Sequence, residues 1–178
     1  MRWILVVAML GLVACDDGGD DSGGGGGGSF NSGVDGSKQV GQLTDEEANQ
    51  ICRASESYGE NLISKEQTCV FSGLLFAQDT AGCEQFAQMC REAPEEPEEP
   101  AACDEGLPPE VEGCTATVDE FEACTEASAN QLRTTIAGLS CADAGNAEAL
   151  QAAFNAAPPA ACASIQMKCP NAFNDDDE

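Results

Sequence analysis

From residue 44 onward, apolar positions recur at intervals of three and four, and three of these runs open on a hydroxyl side chain with Glu or Gln three places later. In "LTDEEANQICRA" the pair is Thr44 and Glu47, a capping box that predicts a helix over about 45–57 with Ile51, Cys52 and Ser55 on one side. "SKEQTCVFSGLLFAQ" repeats the arrangement with Ser64 and Gln67; Cys69, Gly73 and Phe76 share its stripe, with Leu62 just ahead. "TAGCEQFAQMCRE" sets Cys83, Phe86, Ala87 and Cys90 at i, i+3, i+4 and i+7, so both cysteines face one way. Thr117 and Glu120 open the longest run, whose inner stripe is Phe121, Cys124, Ser128, Leu132, Thr135 or Ile136, and Leu139. Gly145-Asn146 begins a shorter helix through Phe154. Pro158-Pro159, well placed near a helix start, opens a last one carrying Cys162, Ile165 and Cys169. Strand-type alternation is nearly absent, and the predicted fold is an all-α, small disulfide-stapled helical domain.

Two stretches interrupt these periods. Residues 16–37 hold ten glycines and five aspartates, too little apolar surface to repay ordering, and predict a flexible tether running from residue 15 to 40. "REAPEEPEEPAACDEGLPPEVEG" carries five prolines, with nine acidic residues between 92 and 112. It predicts an exposed extended connector over 92–113. The connector divides a first helical unit, 41–91, from a second, 114–173, and an acidic tail occupies 174–178.

Eleven cysteines admit either metal clusters or disulfides. Zinc modules place two ligands two to four residues apart, whereas the closest cysteines here are seven apart and the chain has no histidine. Neither a metal nor a cofactor is expected. With Cys15 set aside, ten remain: Cys52, Cys69, Cys83, Cys90, Cys103, Cys114, Cys124, Cys141, Cys162 and Cys169, an even number that fits five disulfides in an oxidising compartment. The intervals 17, 14 and 7 in the first unit and 17, 21 and 7 in the second point to two related three-helix units. A nested scheme suits antiparallel helices: Cys52 with Cys90, Cys69 with Cys83, Cys124 with Cys169, Cys141 with Cys162, and Cys103 with Cys114. Spacing alone leaves many other pairings open.

The first fourteen residues, "MRWILVVAMLGLVA", combine one positive charge, an apolar core of about ten residues and small residues before Cys15, the layout of a cleaved leader. As a helix the apolar core spans about 16 Å, half of a bilayer's hydrocarbon thickness. Leu12-Val13-Ala14-Cys15 resembles the lipobox of bacterial lipoproteins. The resemblance implies diacylglycerol on the Cys15 sulfur, cleavage before it, and acylation of the new amine with a palmitate-type chain. Several acyl chains anchor stably where one is marginal. Together with "CTATVDEFEAC", the Gly/Asp tether and the even cysteine framework, the lipobox also resembles the cysteine-rich acidic lipoproteins of myxobacterial-type Gram-negative bacteria. That resemblance implies a cell-envelope address and no particular activity. Asp16 is similar to the inner-membrane retention signal of enteric bacteria, while acidic segments at this place accompany surface exposure in other groups; the outer membrane or cell surface is the reading taken, with the periplasmic face of the inner membrane as the alternative.

Charge narrows the partners. Thirty-two acidic against seven basic residues give a formal charge of −25, which repels nucleic acid and anionic headgroups. Membrane attachment therefore falls to the N-terminal lipid, and the expected partner is an envelope protein or polysaccharide. Without histidine the Ser-His and Cys-His nucleophile systems are closed, and the ten paired cysteines read as staples for a thin core with eight aromatic residues beyond the leader. "DDGGDDSGGGGG" lacks the glutamate that ends an EF-hand loop and the lysine of a P-loop. The connector and the tail "NDDDE" read as solvated charge, with weak calcium binding as the lesser alternative. Tyr58 and Phe71 read as core or interface residues before pocket residues. The expectation is a non-catalytic interaction or structural domain. The rival is a small envelope polysaccharide hydrolase using paired carboxylates, such as Glu46 with Glu47 or Glu120 with Glu122, which as helix-start acids have a simpler role beside the dipole.

Overall fold

The computed structural model describes residues 29–60, 62–94, 103, 111–146, 148, 150–151 and 155–169. The leader, Cys15, the first part of the tether, most of the connector and the acidic tail lie outside the described residues. Five α-helices are complete among the described residues: α1 (Asp45–Glu60), α2 (Lys65–Phe76), α3 (Thr80–Glu92), α4 (Val118–Ala137) and α5 (Ala163–Lys168). Single 3-10 turns occupy Val40–Gln42, Cys141–Asp143 and Ala160–Cys162, and no strand is present among the described residues, in keeping with an all-α fold. Glu148, Leu150 and Gln151 are helical within the short segment expected after Asn146, part of which is outside the described residues.

All three expected capping boxes form. Thr44 and Glu47 exchange hydrogen bonds at the start of α1. Ser64 and Gln67 do so at α2, and Thr117 and Glu120 at α4. Four amides at the start of a helix lack intrahelical acceptors. At α4, the Thr117 hydroxyl takes the Glu120 amide, while the amides of Val118 and Asp119 donate to the carbonyls of Lys38 and Gly36, both 2.9 Å. The segment before α1 thus completes the start of a helix eighty residues away.

That segment corrects the tether boundary. Residues 30–40, expected to be free coil, lie packed along the domain: Phe30 and Val40 are buried, and Phe30 meets Tyr58 with ring centroids 5.3 Å apart. Ser32 is 6% exposed and donates from both its amide (2.7 Å) and hydroxyl (2.6 Å) to Glu122, while its carbonyl accepts from Gln50. Short polar side chains fold the strap locally, Asn31 accepting from the Gly33 amide and Asp35 from that of Ser37. Glycine content alone overstated the coil, because Phe30, Val34 and Val40 supply the apolar contacts that a poly-glycine run lacks.

The main core gathers Val40, Leu43, Ile51, Val111, Ala116, Val118 and Ile165 with the half-cystines Cys114 and Cys169; Phe121 and Cys124 pack against it. Residues 114–116 run through its middle. Val40 and Gly41 donate to Ala116 and Cys114 on one side, and Thr115 donates to Lys168 on the other. The connector is not exposed throughout: Cys103 and Val111 are 4% and 5% exposed. On the other flank, α2 and α3 form an antiparallel hairpin across residues 77–79, and the turn Cys141–Asp143 packs on both helices.

The disulfides are Cys52–Cys103, Cys69–Cys90, Cys83–Cys141, Cys114–Cys169 and Cys124–Cys162. Ten cysteines pair as expected in number, but every expected partner is replaced. In the hairpin, the place opposite Cys83 is taken by Gly73, so Cys69 meets Cys90 and the Cys83 sulfur reaches past the glycine to Cys141. Cys114 lies beside the end of α5 because Thr115 bonds Lys168, and its nearest sulfur is Cys169 rather than that of Cys103. Equal spacings in the two halves do not bring equal pairings, and Cys83–Cys141 joins the halves directly.

Candidate functional site

The paired carboxylates were the sequence's candidates for chemistry, and each has a structural task or an open surface position. Glu47 accepts from the Lys38 ammonium and from the Thr44 amide and hydroxyl, and these bonds bring its pKa down to about 2. Glu120 takes the Lys168 ammonium on both oxygens, at 2.6 and 2.8 Å, and the Thr117 amide; its pKa is lowered by the same kind of bonding. Glu122 holds Ser32, and Glu46 borders a surface depression of about 560 Å³ with Asn49, Gln50 and Arg53, all on α1. A general acid requires a carboxyl held protonated near neutral pH, through burial or a like charge. Glu47 and Glu120 are driven the other way.

Cys52, Glu56 and Cys103 place two sulfurs and a carboxylate oxygen within 4.8 Å of one another. The two sulfurs are bonded to each other, so neither is the thiolate that a soft metal needs, and one carboxylate cannot hold a cation by itself. Tyr58 packs against Phe30 with the rings tilted by 51°, its pKa is raised by burial and by Glu126, and Phe71 is buried. Both are packing residues. A shallow recess of about 300 Å³ lies between the hairpin and the second half, lined by Leu74, Ala77, Gln78, Gly145 and Leu150.

The feature that burial does not explain lies at the outer end of the hairpin. Phe76, expected in the inner stripe of α2, is 74% exposed, Leu75 beside it 49% and Met89 55%. Phe76 touches Phe86 of α3, ring centroids 5.5 Å apart, and Met89 follows Phe86 by one turn. The reason is geometric. Gly73 and Cys69 fill the contact with α3, Phe71 and Leu74 are buried on the opposite side, and α2 ends at Phe76, whose ring meets Phe86 and otherwise stays exposed. A signal was present: "VFSGLLF" is apolar around most of the helix, more than a single buried stripe requires.

No known family model matches the chain, and no curated protein or solved structure is similar to it. What the fold defines is therefore a class: an all-α domain held by five disulfides, whose cysteine chemistry points to an oxidising, extracytoplasmic setting. No helix among the described residues is long and apolar enough to cross a membrane.

Proposed function

We propose that this chain is a lipid-anchored cell-envelope protein, acylated at Cys15, whose oxidised helical domain acts as a non-catalytic interaction module. The observation that carries the module reading is the face made by exposed Phe76 and Met89 with half-buried Phe86, on a strongly acidic chain. Aromatic residues and methionine are enriched at protein interfaces, and a folded chain with so few aromatic residues loses burial by leaving one outside. The hydrolase alternative loses support from the carboxylates, since Glu47 and Glu120 are fixed as helix caps and ion-pair partners with lowered pKa values.

The anchor reading rests on the lipobox resemblance at Leu12–Cys15 and is supported by the compartment that five disulfides require. Residues from Phe30 onward pack on the domain and so do not belong to the tether expected after Cys15. Intact-mass measurement of the native protein tests the anchor: a chain starting at residue 15 and bearing diacylglycerol plus an amide-linked acyl group is expected, and Cys15→Ser should release the domain from the membrane fraction. An unmodified residue 15 in the mature protein overturns the reading.

A further inference from the structure

The hairpin face allows its partner's chemistry to be specified, in an inference that rests on the interaction-module reading and extends it. Phe76, Phe86 and Met89 form an apolar surface at the end of α2 and along α3, with Leu75 at its margin. Asp79 and Glu92 bracket α3 at its two ends and Glu84 lies between them, against one basic residue of the helix, Arg91; Gln88 bonds Glu92. The chain as a whole carries 32 acidic and seven basic residues, and Lys38 and Lys168 are committed to Glu47 and Glu120. A field of that sign repels a second copy of the chain, anionic lipid and polyanionic polymers, and draws in cationic ones. A neutral polysaccharide answers neither the charge nor two adjacent aromatic and thioether side chains standing out from a helix pair.

We infer that the Phe76–Phe86–Met89 face docks a cationic polypeptide segment that brings apolar side chains of its own. Phe76 and Met89 anchor that segment through burial, and the surrounding carboxylates select its charge and accelerate its arrival. Methionine's unbranched, polarizable side chain lets such a surface adjust to more than one apolar partner.

The test uses the full oxidised chain in neutral phosphatidylcholine nanodiscs and three synthetic helical peptides of equal length: Leu/Lys amphipathic, Ser/Lys of equal charge, and Leu/Glu with the same apolar face. The Leu/Lys peptide should bind, Phe76→Ser and Met89→Ser should each weaken it about tenfold or more, and added salt should slow its association. The Ser/Lys peptide should bind weakly, with no sensitivity to either substitution. Both substituted side chains are more than half exposed, so unchanged circular dichroism and disulfide content are expected alongside the loss. Equal binding of the Leu/Glu peptide overturns the charge selection. Leu/Lys binding that ignores both substitutions overturns the site, as does dimerisation of the chain, or partition into empty neutral vesicles, that Phe76→Ser abolishes. Failure of all three peptides with a lipidated Cys15 overturns the partner chemistry and leaves the anchor standing.

Discussion

The core around α1, α4 and α5 and the α2–α3 hairpin solve the same problem with different materials. In the first, aliphatic side chains from five segments converge: Val40 and Leu43, Ile51, Val111, Val118 and Ile165, with the strap from Phe30 bonded along the outside. In the second, two helices approach until a Cβ added to Gly73 would stand 2.9 Å from the Cys83 carbonyl oxygen, and two disulfides hold them to each other and to Cys141. Close backbone contact and sulfur do there what side-chain volume does in the larger core. The consequence is functional as well as structural. A hairpin stabilised from within by glycine and cystine leaves Leu75, Phe76 and Met89 outside, whereas around the larger core the one large apolar side chain left exposed among the described residues is Met167 of α5.

The comparison is most sharply broken by removing a side chain from the larger core. Ile51→Ala should destabilise the domain by about 2–5 kcal/mol, read as a lower midpoint in denaturant with the hairpin and core unfolding together. Cys83→Ser with Cys141→Ser should cost about 2–4 kcal/mol, and amide exchange should quicken in α2 and α3 before α4. If protection is lost evenly across both regions, the hairpin is not the separable one. Gly73→Ala pushes against backbone rather than a flexible tip, and a loss of about 1–3 kcal/mol is expected from melting curves.

A pH titration separates the ionic contribution of the strap. Glu47 has a folded pKa of about 2 against an ordinary 4.5, so its bonds to Lys38 and Thr44 stabilise fully above 4.5 and lose that contribution as pH falls toward 2. Lys38→Met should lower the melting temperature slightly at neutral pH and flatten the acid limb between those values by the same amount, a small effect because the pair lies at the surface. At the small end, Phe76→Ser should alter stability by no more than about 0.5 kcal/mol while weakening docking about tenfold or more. A large destabilisation would make Phe76 part of the hairpin's core after all.

Helix starts were legible because their signals are local. Thr44, Ser64 and Thr117 each lie three residues from the side chain that answers them, so a window of four residues contains the whole interaction. The strap was legible only in composition, and composition pointed the wrong way from Phe30 onward. Its partners, Glu122, Thr117 and Tyr58, are between 28 and 90 residues distant. The exposed Phe76 escaped for a related reason: a helical stripe gives the phase of a side chain but not whether an element remains to cover it.

From the chain alone came the all-α class, the capped helix starts, the even set of ten cysteines and the net charge. These depend on neighbours in sequence or on sums over it. The tertiary structure decided which sulfur meets which, that the segment from Phe30 packs on the domain, and that Phe76 is left outside. Pairing follows from helix register, set by a missing side chain at Gly73 and by a bond from Thr115 to Lys168, and no spacing of cysteines encodes either contact.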